Sequence, residues 1–158
     1  MKTPPQLLRA AAIAALPERR HQHQFNDNAV RYTRTLGEQA GLERIGLHLV
    51  RLEPGHDSTQ HHFHDADEEF LYIVSGRGMA HIGDESFEVA TGDFMGFAAP
   101  SPAHSLSNPF DEDLVYLMGG ERNAVDAVHY PRIRRSMFKA RGNRRWADWD
   151  DLQDLPGR

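Results

Sequence analysis

Between Pro54 and Gly76 the chain places His61, His62 and His64 close together and follows them with Glu69, and His104 stands further along. Imidazole nitrogens and a carboxylate oxygen are the donor set that holds zinc, manganese, iron, nickel or copper. Three histidines and one glutamate would leave one or two positions of a five- or six-coordinate ion open to water or substrate. That arrangement serves Lewis-acid chemistry, activation of water or, with iron, dioxygen chemistry. Neighbouring histidines also occur in solvated surface tracts. Here, however, they run into Glu68-Glu69 and then Phe70-Leu71-Tyr72-Ile73-Val74, closed by Ser75-Gly76, which reads as a buried strand. A carboxylate entering such a strand needs a partner, and a bound cation removes the cost of burying it.

The elements that position these donors follow from strand geometry. Successive side chains point to opposite faces, so His62 and His64 share a face while His61 points away; His61 and His56 are left outside the donor set. A one-residue slip would put Phe63 where a donor is needed. From Tyr32 onward, strand-like segments cover Ile45 to Glu53, Glu69 to Val74, Gly78 to Ile82, Ser86 to Val89, Asp93 to Ala98 and Leu114 to Met118, separated by glycine, asparagine or aspartate. Gly83-Asp84 reads as a hairpin turn. This spacing signals an all-β barrel, and no helices fall between strands as a parallel α/β fold requires. Leu7 to Leu16 reads as a short helix, and Pro17 to Val30, polar and aperiodic, as an irregular arm.

Composition bounds the function classes. The 158 residues make one domain with short extensions; 39% are hydrophobic and 26% charged, as in an ordinary globular protein. A net charge of −5 gives no footprint for nucleic acid. Cysteine is absent, which excludes disulfides, thiolate ligands and cysteine nucleophiles. No stretch approaches a membrane span, and Arg9 with Pro17-Glu18-Arg19-Arg20 argues against a secretory leader, so a cytoplasmic location without membrane partners is expected. In the tail, Arg132, Arg134, Arg135, Lys139, Arg141, Arg144 and Arg145 alternate with Met137, Phe138, Trp146 and Trp149 and are followed by Asp148, Asp150, Asp151 and Asp154. Such a mixture pairs internally or packs on a partner subunit, and a homodimer through this tail or the N-terminal arm is expected.

The histidine and glutamate pattern resembles the first motif of the cupins, with Gly55, His62-Phe63-His64, Glu69 and Gly76 in order. Gly92-Asp93, His104 and Asn108 are similar to the second motif, although Ala98 to Ala103, with two prolines, stands where the family has a proline-glycine turn. Leu36 to Leu42, Gly119 to Arg122 and Tyr130-Pro131 look like a group of small single-domain bacterial cupins. The resemblance implies a double-stranded β-helix of the jelly-roll type over residues 36–130, an N-terminal helix and arm over 1–35, and a C-terminal tail over 131–158. It also implies His62, His64, Glu69 and His104 as ligands of a divalent transition metal. A metal-dependent enzyme of dioxygenase, isomerase or lyase type acting on a small organic molecule is expected, the alternative being a non-catalytic, sugar-like-ligand-binding cupin. Strand parity nominates His48, Arg51, Met79, His81, Phe97, Tyr116 and Met118 to border the cavity, with Tyr72 on the outer face. His48 is the candidate acid or base and Arg51 the candidate for gripping a carboxylate or phosphate.

Overall fold

The computed structural model describes residues 4–153. Its helices are two short ones, α1 (Ala10–Ala14) and α2 (Leu36–Gln39), with 3-10 turns at Pro131–Ile133 and Trp149–Asp151. The rest is built from β1 (Arg19–His23), β2 (Asn26–Thr35), β3 (Ile45–Leu52), β4 (Phe63–His64), β5 (Glu69–Ser75), β6 (Arg77–Ile82), β7 (Glu85–Ala90), β8 (Phe94–Phe97), β9 (His104–Ser107), β10 (Leu114–Glu121), β11 (Val125–Tyr130), β12 (Arg135–Ala140) and β13 (Asn143–Asp148). All-β architecture with antiparallel pairing is therefore observed as expected. Among the described residues no helix is long and apolar enough to cross a membrane.

One wall is a six-stranded sheet in the order β1-β2-β3-β10-β5-β8; the other combines β13-β12-β11-β4 with β7-β6-β9. These last two sheets are stitched at one point, where His62 and His104 exchange backbone hydrogen bonds of 3.1 and 2.7 Å. Alternation on β3, β5 and β10 sends Val50, Leu52, Leu71, Ile73, Leu114 and Tyr116 inward, where they meet Ala80, Val89, Met95, Phe97 and Leu106 in one core. Tyr72 faces outward, as parity requires. Gly83 and Asp84 form the two-residue turn between β6 and β7, with Ile82 opposite Glu85. Gly76 turns the chain from β5 to β6 at φ +78, a left-handed conformation that favours glycine, and a Cβ there would lie 2.3 Å from the Asp113 carbonyl oxygen.

One expectation is corrected, and the tail takes a definite form. The stretch Pro17 to Val30 is not irregular: most of it forms β1 and the start of β2, which pair with each other and extend the six-stranded sheet beyond β3. The tail is a β12–β13 hairpin laid beside β11. Its charges pair within the chain, Arg134 with Asp150, Arg135 with Asp148 and Lys139 with Asp67, while Asp154 lies outside the described residues. Both additions were hidden by polar inward faces, because these strands line a polar cavity and lack the apolar alternation that marks a half-buried strand.

Candidate metal centre

Four side chains converge between the walls. β5 presents Glu69 from the six-stranded sheet, while β4 supplies His64, its preceding residue His62 lies against β9, and His104 opens β9. The Nε2 atoms of His104, His64 and His62 stand 3.2, 3.4 and 3.5 Å from Glu69 Oε2. Two donors each about 2.1 Å from one ion stand roughly 3.0–3.4 Å apart at right or tetrahedral angles. His62, Glu69 and His104 cluster as donors to a single cation would, and His64 faces the same Glu69 oxygen while also grouping with Asp67 and Asp126.

The other ring nitrogens point outward to acceptors. His62 Nδ1 donates to the Gln60 carbonyl (3.0 Å), His104 Nδ1 to the Pro102 carbonyl (3.3 Å) and His64 Nδ1 to Asp126 Oδ2 (2.6 Å). Each Nδ1 thus keeps its proton and each Nε2 lone pair faces Glu69, the tautomer a metal ligand needs. Three lone pairs aimed at a carboxylate oxygen repel one another without a cation or shared protons among them. Asp126 is fully buried, and its second oxygen accepts from the amide nitrogens of Ala66 and Asp67 at 3.0 and 3.4 Å. Burial opposes its charge, yet these hydrogen bonds, His64's first, hold the carboxyl below its usual range. Phe97 stacks on the His104 ring at 3.6 Å and 3°, and Tyr130 on His62 at 5.7 Å and 26°.

Protonation states agree with this chemistry. Burial pushes the His62 imidazole below its usual pKa, against the pull of Glu69. Burial raises Glu69, but the facing His104 and His62 rings outweigh it and hold the carboxyl well below its usual range. Neutral imidazole beside ionised carboxylate is what a cation binds.

The site opens onto a cavity of about 290 Å³. His21 and His23 of β1, Arg31 of β2 and Lys139 of β12 line it together with the four donors, Tyr116, Met118 and Tyr130. His61 faces elsewhere, buried with its Nδ1 3.2 Å from Ser105 Oγ. Of the two reactive candidates, Arg51 is on the opposite face of its sheet from the cavity. It stands opposite Tyr32, stacks on that ring at 4.5 Å and forms ion pairs with Glu18, Glu53 and Asp113. Its parity is one residue off that of the inward Val50 and Leu52. His48 does share the inner face, opposite Met118, but is outside the cavity lining, next to Arg122 and Gly46. His81 bonds Ser86 and Ser107, and Phe97 belongs to the core.

Sequence reasoning missed Asp126, His23, Arg31 and Tyr130. Asp126 sits in Val125 to Tyr130 without a local mark, since its partner His64 is 62 residues away. His23 falls in the arm read as irregular, and Arg31 one residue beyond its end.

Comparison with known proteins adds the family. The pattern described as Cupin domain matches residues 48–120. A solved structure from Acidithiobacillus ferrooxidans, provisionally named a sugar phosphate isomerase, is 35% identical, covers 97% of this chain and 98% of its own, and superposes with a TM-score of 0.94. A sugar phosphate isomerase of the cupin superfamily from Silicibacter pomeroyi is 23% identical over 95% of this chain and 97% of its own, with a TM-score of 0.79. A predicted oxalate decarboxylase from Thermotoga maritima is 19% identical over 70% of this chain and 96% of its own, with a TM-score of 0.60. No protein of curated function matches the sequence. The shared barrel, the matched pattern and 35% identity along almost the whole chain make it a member of the cupin superfamily.

Proposed function

We propose that the protein is a metal-dependent isomerase of a small sugar phosphate, with His62, His64, Glu69 and His104 holding a divalent transition metal. The observation that carries this reading is the convergence of these four donors on a small cavity, in a chain 35% identical to the Acidithiobacillus protein over nearly its full length. Aldose–ketose interconversion needs no oxidant: a proton leaves the hydroxyl-bearing carbon next to the carbonyl, returns to the former carbonyl carbon, and the hydroxyl proton passes to the carbonyl oxygen. A bound divalent cation supplies Lewis acidity for the developing oxyanion.

The chain's own residues handle protons. The Phe25 amide donates to His23 Nδ1 at 3.2 Å, so the neutral ring carries its proton on Nε2 and offers it to a substrate oxygen. Burial first, then His62, lowers His23 to about 4 and keeps it neutral. Tyr130, raised to about 12 by burial and then Glu69, stays a phenol and donates likewise. His21 lines the same wall and supplies a ring nitrogen to take up the proton from carbon.

Metal-loaded protein incubated with aldose phosphates in deuterium oxide and followed by proton NMR tests the reading. Deuterium at the carbon next to the carbonyl and appearance of the ketose are expected, both lost in Glu69→Gln. Full metal content without exchange on any aldose phosphate would overturn the isomerase assignment in favour of a binding cupin.

A further inference from the structure

Arg31 lines the cavity without an ion-pair partner among the described residues, whereas Arg122 and Lys139, which line the same cavity, are matched by Glu38 and Asp67. Among the described residues its one side-chain hydrogen bond runs from Nη1 to the Ser58 carbonyl oxygen. Its Nε is buried with nothing to donate to, and the hydroxyl of Tyr116, 1% exposed on the same cavity, makes no well-formed hydrogen bond although Ser58 stands beside it. Among the described residues only three buried side-chain polar atoms are left this way, and two of them border this cavity. Buried donors without acceptors are rare in native proteins and mark places where something else binds.

Strand register puts the two groups on one surface. Arg31 is two residues before Thr33, and Thr33 lies opposite Val50, which lies opposite Tyr116, so all four side chains share the inner face of β2, β3 and β10. The charge of Arg31 also acts, after burial, to hold His21 below its ordinary pKa, and adds a smaller push on His23 behind burial, His62 and His21, in keeping with its place among the cavity groups.

We infer that Arg31 and Tyr116 form the subsite for the substrate's anionic group, the guanidinium giving charge-assisted hydrogen bonds to two of its oxygens and the phenol donating to one. A phosphate monoester and a carboxylate share this chemistry; naming the phosphate rests on the isomerase reading above. Arginine rather than lysine suits the place, because a planar fork fixes the anion's orientation relative to the metal donors.

The test is calorimetric titration of metal-loaded full-length protein with inorganic phosphate and, separately, acetate. Arg31→Gln is expected to weaken phosphate binding at least about tenfold and Tyr116→Phe about threefold, with metal content unchanged. Arg31→Lys, which keeps the charge, should recover part of the affinity and guards against a misfolded glutamine variant. Unchanged phosphate affinity in variants that retain metal would overturn the assignment and place the anion elsewhere, on the metal included. Acetate binding tighter than phosphate, with the same dependence on Arg31, would keep the subsite and transfer it to a carboxylate substrate, counting against the isomerase reading alone. Phosphate binding through Arg31 without any aldose phosphate turnover would likewise uphold this inference while the isomerase reading fails.

Discussion

Asp126 does for His64 what backbone carbonyls do for His62 and His104: it takes the Nδ1 proton and aims Nε2 at Glu69. A carboxylate in that role also raises the donor strength of the ring. Asp126→Asn is expected to weaken metal affinity about 10- to 100-fold, measured by chelator competition, while His62→Ala and His104→Ala should abolish stoichiometric metal in elemental analysis. A second residue-scale expectation concerns His23. Its pKa is about 4 in the folded protein and 6.5 is its ordinary value, so the unfolded chain binds the extra proton first. The stability contribution is therefore complete above pH 6.5 and is lost as pH falls toward about 4. Thermal unfolding of the wild type and His23→Gln between pH 7.5 and 4.5 should show a shallower acid decline in the variant; metal-linked losses are common to both chains, and parallel curves would refute the idea. At this scale the sequence reveals donors whose chemistry is visible in their own type, such as His62, His64, Glu69 and His104. Asp126 and Arg31 are invisible there, because their roles come from partners that only the fold supplies.

At the scale of elements, legibility follows the dielectric of the inward face. β3, β5, β6 and β10 carry apolar side chains inward and can be read from alternation to within a few residues. β1 and β13 point His21, His23 and Arg144 at the cavity, so the same period is present without the apolar signal. Arg51 illustrates the converse error: the strand is right, but the side chain lies on its outer face. The turn at Gly76 is both legible and structurally demanding. Gly76→Ala would combine a left-handed backbone with a Cβ against the Asp113 carbonyl, and a loss of at least about 2 kcal/mol is expected in urea unfolding. A variant that loses less would mean that the β10 approach relaxes easily.

At the scale of the whole molecule, the segments before and after the matched pattern complete the cavity. The β1–β2 turn meets β13 where the Phe25 and Trp146 rings cross edge to face at 4.9 Å, Trp146 also touches Tyr130, and Arg135 covers Phe25. A double-mutant cycle of Phe25→Ala and Trp146→Ala should give a coupling of about 1 kcal/mol, and additive losses would show that the two ends close the cavity independently. The hairpin that finishes this wall has a consequence for the protein's birth. His104 leaves the ribosome 44 residues ahead of Asp148, an interval of roughly 2–9 s at ordinary rates of synthesis. During that interval a nascent chain already carries the four candidate donors but has no β12–β13 wall, so on the proposed metal reading the donors are exposed to whatever ion is at hand before the cavity that would select among ions is built.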